Sequence, residues 1–107
     1  MISVVIPTFN EKENIKKILI KLQAIKIISE IIFVDDQSND GTFTEIKKSQ
    51  KSNIRGYLRK AKIKDLSKSV LYGVKKSKNK NILVMDCDLQ HDPKYIIKMW
   101  NNYCNNS

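Results

Sequence analysis

Apolar positions along this chain alternate between two rhythms. Short, largely β-branched runs at residues 2–6, 31–35, 54–58 and 81–85 are each followed by a stretch with helical spacing. The run at 2–6 is almost continuously apolar, which suits a strand covered on both faces. Beyond it, Asn10 with Glu13 three residues on has the spacing of a capping box. Ile15, Ile18, Leu19, Leu22 and Ile25 then predict an amphipathic helix. The run at 31–35 leads into the turn Gln37-Ser38-Asn39-Asp40-Gly41, after which Thr42 and Glu45 predict a second capping box and a short, polar helix. Asp65 predicts the cap of a third helix whose buried side holds Leu66, Val70 and Val74. Asp92 and Pro93 make an N-cap and N1 pair for a last helix through Tyr95, Ile96, Met99 and Trp100. Residues 101–107 are polar and predict a frayed end.

Strands alternating with helices predict an α/β fold: a Rossmann-like parallel sheet with right-handed crossovers and helices on both faces. Such sheets bind ligands outside the carboxyl ends of their strands, where the strand order reverses. With 107 residues there is room for one small domain. No apolar run nears the roughly 20 residues of a membrane span. The first residues lack a basic leader and a small-residue cleavage site, so a cytoplasmic setting is expected, peripheral to the inner membrane face if the partner is a lipid. Cys87 and Cys104 lack metal-type spacing. The formal charge of +9 suits nucleic acid, an anionic membrane or a phosphorylated substrate. No basic run carries interleaved aromatics, so nucleic acid is not expected as a partner.

The positions of the acids are more informative. Asp35 and Asp36 follow the second strand, and Asp86, Asp88 and Asp92 follow the fourth. Carboxylates crowded in this way repel one another, and a divalent cation would relieve the repulsion. In Asp86-Cys87-Asp88 the two carboxylates project to the same side. Hard oxygen donors without paired histidines or thiolates favour Mg²⁺ or Mn²⁺, shared with substrate phosphates. The alternative is that Asp86 ends the strand and Asp88 caps a turn. Phe9 either stacks on a nucleobase or packs beneath the first helix. Glu11 either binds a ribose or base, or is a first-turn acid favoured by the helix dipole. Cys87 is expected to point into the core, and His91 to sit in a loop. A phospho-acceptor receiver domain would carry its acidic pair after the first strand, not the second.

Three ordered segments resemble the family 2 glycosyltransferases. Val4-Val5-Ile6-Pro7-Thr8-Phe9-Asn10-Glu11-Lys12-Glu13-Asn14-Ile15 is similar to their opening. Ile32-Phe33-Val34-Asp35-Asp36-Gln37-Ser38-Asn39-Asp40-Gly41-Thr42 is similar to their V-D-D-x-S-x-D-G-T segment. Val84-Met85-Asp86-Cys87-Asp88-Leu89-Gln90-His91-Asp92-Pro93 resembles the M-D-x-D-L-Q-H-D-P form of dolichyl- and polyprenyl-phosphate hexosyltransferases. The chain departs from close relatives in one stretch, where Asp65-Leu66-Ser67-Lys68-Ser69 replaces a glycine-rich G-L-G-x-A.

The resemblance implies that residues 1–107 are the N-terminal, nucleotide-sugar-binding half of an A-type glycosyltransferase fold, truncated at its C-terminus. It implies an inverting, metal-dependent enzyme moving mannose or glucose from a GDP- or UDP-hexose to a polyprenyl or dolichyl phosphate. A nucleotide-sugar-binding module without transfer activity is the alternative. Pro7, Phe9 and Glu11, with Val34 and Asp36, would surround the base and ribose. Asp86, Cys87 and Asp88 would contact the nucleotide sugar. Asp88 would be the catalytic metal ligand and Gln90 a second contact to Mg²⁺ or Mn²⁺. A sheet that stops at the fourth strand would leave an exposed edge open to self-association.

Overall fold

Seven consecutive buried residues, Ile2–Thr8, form β1, the strand on which the rest of the sheet is laid. In this computed structural model, residues 1–61, 63–88 and the single positions 98, 101 and 104 are described. β2 (Ile28–Asp35), β3 (Ile54–Leu58) and β4 (Ile82–Val84) complete a four-stranded sheet in the order β3-β2-β1-β4, every pairing parallel. β1 and β2 are longer than the apolar runs predict. Their ladder carries on from Ile2 opposite Ile28 to Thr8 opposite Asp35, through polar residues that are buried all the same. The last helix, expected from Asp92 and Pro93, lies outside the described residues, as do Gln90 and His91.

A 3₁₀ turn at Lys12–Asn14 leads into α1 (Ile15–Gln23), and α2 (Thr42–Lys48) and α3 (Leu66–Lys76) follow. The chain steps from β1 through β2 to β3 in one direction, then returns over the sheet to β4 on the far side of β1. Right-handed crossovers therefore put α1 and α2 on one face and α3 on the other. The strand residues sort accordingly with a period of two. Val4, Ile6, Ile31 and Phe33 pack with Ile15, Ile18, Leu22 and Ile46, while Val5, Ile32 and Val34 lie on the opposite face. Burying the first of these clusters is the main source of stability, at about 25 cal/mol per Å² of apolar surface.

Three local expectations are corrected. Asn10 does not cap a helix: its φ is 54°, its N–H donates to Ser38 Oγ, and its Oδ1 accepts from Asn39 N–H. Thr42 is the first residue of α2 rather than its cap. Gly41 holds the cap position at φ 93°, a left-handed conformation that favours glycine, and the Thr42 hydroxyl bonds Asp40. In α3, Asp65 does cap, accepting from Ser67 and Lys68 N–H, but Leu66 is 47% exposed. The buried residues there are Ser69 and Gly73. Small residues win because the helix lies very close to the sheet: a Cβ on Gly73 would stand 2.4 Å from Val5 Cγ1. Val70 and Val74 are half-buried beside Ser69 and Gly73, so Leu66 alone of the three expected residues leaves the buried side.

At the amino end of the sheet, buried Glu30 gathers a polar network. It accepts from Ser3 Oγ and Lys78 N–H and pairs with Arg55, while Asn79 Nδ2 bonds both Ser3 and Ser29 hydroxyls. Arg55 also donates to the carbonyl of Lys76, at the end of α3. Three strands and the α3–β4 turn are thus pinned together. Burial works to raise the Glu30 pKa, but the hydrogen bonds from Lys78 and Ser3 and the Arg55 charge hold it below its ordinary value. At the other edge, β4 pairs only with β1 among the described residues, and Val84 is 42% exposed.

Two outcomes follow for stability. Gly73→Ala should lower it by about 1–2 kcal/mol in urea titration, because overpacking outweighs a helix-propensity gain of roughly 1 kcal/mol. A carboxylate with a depressed folded-state pKa stabilises above its unfolded pKa, and that contribution is lost as pH falls through the folded value. Unfolding followed from pH 7 into the acid range should therefore show a loss below the ordinary Glu pKa of 4.5 that is diminished in Glu30→Gln.

Candidate functional site

The crevice between β1 and β4 begins at a proline. Odd-numbered residues of β1 face β4 with their backbone groups: Ser3 N–H donates to Asn81 O, and Val5 O accepts from Met85 N–H. The next rung would need an N–H from Pro7, which has none, so the ladder ends there. Even-numbered positions still bond β2, with Thr8 O accepting from Asp36 N–H. The strands consequently part on one side of β1 only, at the place where the strand order reverses. That is where parallel sheets of this kind bind ligands.

Two carboxylates at the end of β2 organise the neighbouring loops. Asp35, fully buried, accepts from Thr8 Oγ1, Ser38 Oγ and Ser38 N–H. Asp36, 1% exposed, takes two hydrogen bonds on Oδ1 from Arg59, at 3.1 Å from Nε and 2.7 Å from Nη2. Arg59 also donates to Ile63 O, and Gln37 Nε2 donates to Ala61 O. The expectation that these acids crowd unpaired around an ion is thus corrected: burial leaves a carboxylate dependent on partners, and both have them. Arg59 was not among the expected site residues. The rule that identified the other loops, a polar residue just past a strand end, also picks out Arg59 after β3.

The β1 loop is sewn to the β2 loop beside it. Glu11 N–H donates to Thr42 Oγ1, Lys12 N–H to Asp40 Oδ2, and Glu11 Oε2 accepts from Asn14 Nδ2. This leaves the Phe9 ring standing out at 39% exposure, with the Lys64 ammonium 4.2 Å from its centroid. Packing beneath the first helix is therefore excluded for Phe9. Across the crevice, Asp86 and Asp88 are exposed on either side of Cys87, which is 2% exposed and belongs to the core. Burial first, then the charges of Glu11 and Asp88, push the Cys87 thiol up to about 12. Glu11 and the Asp86–Asp88 segment thus act on one region.

Pro7 and Val34 are buried, and the Val34 side chain packs with Val5 and Ile32 next to Gly73, away from the crevice. Phe9, Glu11, Asp86 and Asp88 are the expected residues with accessible side chains. An open cleft of about 420 Å³ is lined by Asn10, Glu11, Lys12, Glu13, Asn14 and Asp40. It shares only Glu11 with the expected set and lies on the outer side of the loop. The strand-end crevice is the better candidate because Phe9, Asp86 and Asp88 follow the two strands that part there. Among the described residues no three His, Cys, Asp or Glu side chains group into a metal cage. Two exposed carboxylates still fit a magnesium-like ion, which is commonly held by one or two carboxylates together with substrate phosphates.

The family model for glycosyl transferase family 2 matches residues 3–107. The dolichol-phosphate mannosyltransferase of Pyrococcus furiosus is 36% identical over 100 residues, covering 92% of this chain and 28% of that protein. That of Saccharomyces cerevisiae is 36% identical over 105 residues, covering 92% and 39%. The chain therefore spans well under half the length of these relatives. Among solved structures, the mannosyltransferase PcManGT from Pyrobaculum calidifontis, in complex with GDP-Man and Mn²⁺, is similar with a TM-score of 0.69 at 18% identity. That likeness covers 81% of this chain and 27% of the other. S. aureus TarS 1-349 is similar with a TM-score of 0.74 at 22% identity, covering 94% and 32%. These likenesses show the fold, that of the A-type glycosyltransferases.

Arg59→Met would leave Asp36 buried without its cation, an expected loss of about 3–5 kcal/mol. Urea titration of the single variants and of Asp36→Asn/Arg59→Met should show the double variant losing clearly less than the sum.

Proposed function

The chain belongs to glycosyl transferase family 2, and from that premise we propose that residues 1–107 form the donor-binding part of a hexosyltransferase. Its donor is a nucleoside diphosphate sugar, GDP- or UDP-linked mannose or glucose, and its acceptor a polyprenyl or dolichyl phosphate at a membrane surface. The observation that carries this reading is that an exposed aromatic ring, Phe9, and the carboxylates of Glu11, Asp86 and Asp88 all follow β1 and β4, the two strands between which the strand order reverses.

Each residue then has a task suited to its chemistry. Phe9 offers a face on which a base can stack. Glu11, oriented by Asn14 Nδ2, accepts from ribose or base donors. Pro7 shapes the floor of the pocket, and Asp36 contributes as a buried carboxylate fixed by Arg59. Asp86 and the backbone of Cys87 meet the sugar side of the donor. Asp88, joined by Gln90 from beyond the described residues, would hold Mg²⁺ or Mn²⁺ against the diphosphate. When bound, such an ion supplies a Lewis acid for the negative charge on the departing diphosphate, a contribution of several kcal/mol in general. A phosphate acceptor is already ionised near neutral pH and needs less help from a general base than a sugar hydroxyl. Its in-line attack would invert the anomeric carbon.

A second reading is a module that binds the nucleotide sugar and transfers nothing by itself. It is favoured by the residues themselves, whose tasks all lie on the donor side. Among the described residues β4 pairs only with β1, and its other edge is where a second copy would pair.

Calorimetric titration with GDP and UDP, each with and without Mn²⁺, tests the donor site. Metal-dependent binding of one nucleotide, weakened at least about tenfold in Asp88→Ala, is expected. Absence of binding at millimolar nucleotide would overturn the reading. Sugar transfer to a lipid phosphate by this chain alone would dismiss the module reading in favour of the enzyme.

A further inference from the structure

Charge is spread very unevenly along this chain. Nine of its 20 basic residues but only one of its 11 acidic residues, Asp65, fall within residues 59–80, so that stretch holds +8 of the formal +9. The rest of the chain is left at +1. The same stretch carries four of the large hydrophobic residues that stand exposed: Ile63 at 76%, Leu66 at 47%, Leu71 at 60% and Tyr72 at 36%.

Three of these residues have a common direction. Ser69 and Gly73 turn toward the sheet. Lys68, Leu71 and Lys75, spaced three and four apart, therefore form a stripe on the opposite side of α3, and all three are exposed. No acid interrupts the helix. An ordinary solvated helix face mixes charges of both signs and does not set leucines among its lysines. A nucleic-acid backbone would match the lysines but leave Ile63 and Leu71 without a counterpart. An anionic bilayer surface matches both, its headgroups meeting the lysines and its acyl boundary the apolar side chains.

We propose that the outward face of α3, with the loop before it, is a docking surface for anionic lipid bilayers. The inference goes beyond the donor-site reading and rests on different residues. It also gives the site a direction. α3 begins beside Lys64, whose ammonium lies 4.2 Å from the Phe9 ring centroid, so the docking face starts at the rim of the crevice. A chain lying on a membrane by this face lays α3 along the bilayer, from the rim of the crevice to the Glu30 end of the sheet.

Co-sedimentation with phosphatidylserine/phosphatidylcholine vesicles, against phosphatidylcholine alone, tests the proposal. The intact chain should bind the anionic vesicles and release them at high salt. Lys68→Glu/Lys75→Glu should weaken binding by at least about 25-fold, at roughly fivefold per lysine. Leu71→Ser should weaken it by about fivefold or more. Lys17→Glu/Lys21→Glu, the same charge change on exposed positions of α1, should cost less than about fivefold. Thermal unfolding and nucleotide titration of each variant keep folding and the donor site separate from this surface. No binding to anionic vesicles by the intact chain would overturn the proposal. So would equal losses in the two lysine pairs, or binding indifferent to Leu71→Ser with polyuridylate competing through the same lysines.

Discussion

Two carboxylates lie buried side by side at the end of the second strand, and the carboxyl-end loops are arranged around their need for partners. A buried carboxylate without a partner costs several kcal/mol, a large part of the margin by which a domain this size is stable. Thr8 and Ser38 meet Asp35, and Arg59 meets Asp36. In doing so they fix the end of β1, the turn after β2 and the segment after β3 against one another. Phe9 follows directly from Thr8, and Lys64 comes one residue after the carbonyl that Arg59 holds. The exposed Phe9 is thus positioned by a network around two buried charges that do not themselves face solvent.

Much of the fold was legible from local chemistry. The β-branched runs located all four strands, and the Asp65 cap located α3. The misreadings have one cause in common. Asn10 and Thr42 have sequence neighbours that suggest capping boxes, yet each is taken up by groups 28 or more residues away, Ser38 and Asn39 for one and Glu11 for the other. Spacing along the chain cannot register such competitors. The buried side of α3 was misjudged for a related reason. Hydrophobicity favours Leu66, Val70 and Val74, but the closeness of helix and sheet favours whatever is smallest, and that closeness appears only in three dimensions.

For the candidate site, the residue types after each strand were informative and their side-chain roles less so. Phe9, Glu11, Asp86 and Asp88 are accessible, and Cys87, in the turn beyond β4, is buried in the core. Val34 shows the limit of position-by-position transfer. It stands between strand residues in the right segment, but its side chain is committed to the face beneath α3. Arg59 shows the converse, since it lies in no acidic motif, and its place just past β3 takes on meaning through the carboxylate it neutralises.

The polar cluster around Glu30 places a different condition on the molecule. It clasps β1, β2, β3 and the turn before β4 at the amino end, whereas Pro7 releases β1 from β4 at the carboxyl end. At the seam between β1 and β4 the sheet is therefore bound like a book along one margin. Any rearrangement that a ligand imposes on the crevice has its fulcrum at Glu30, and displacement grows along the strands toward Phe9 and Asp88. Residues far from the ligand thereby set the stiffness of the hinge on which its two walls turn.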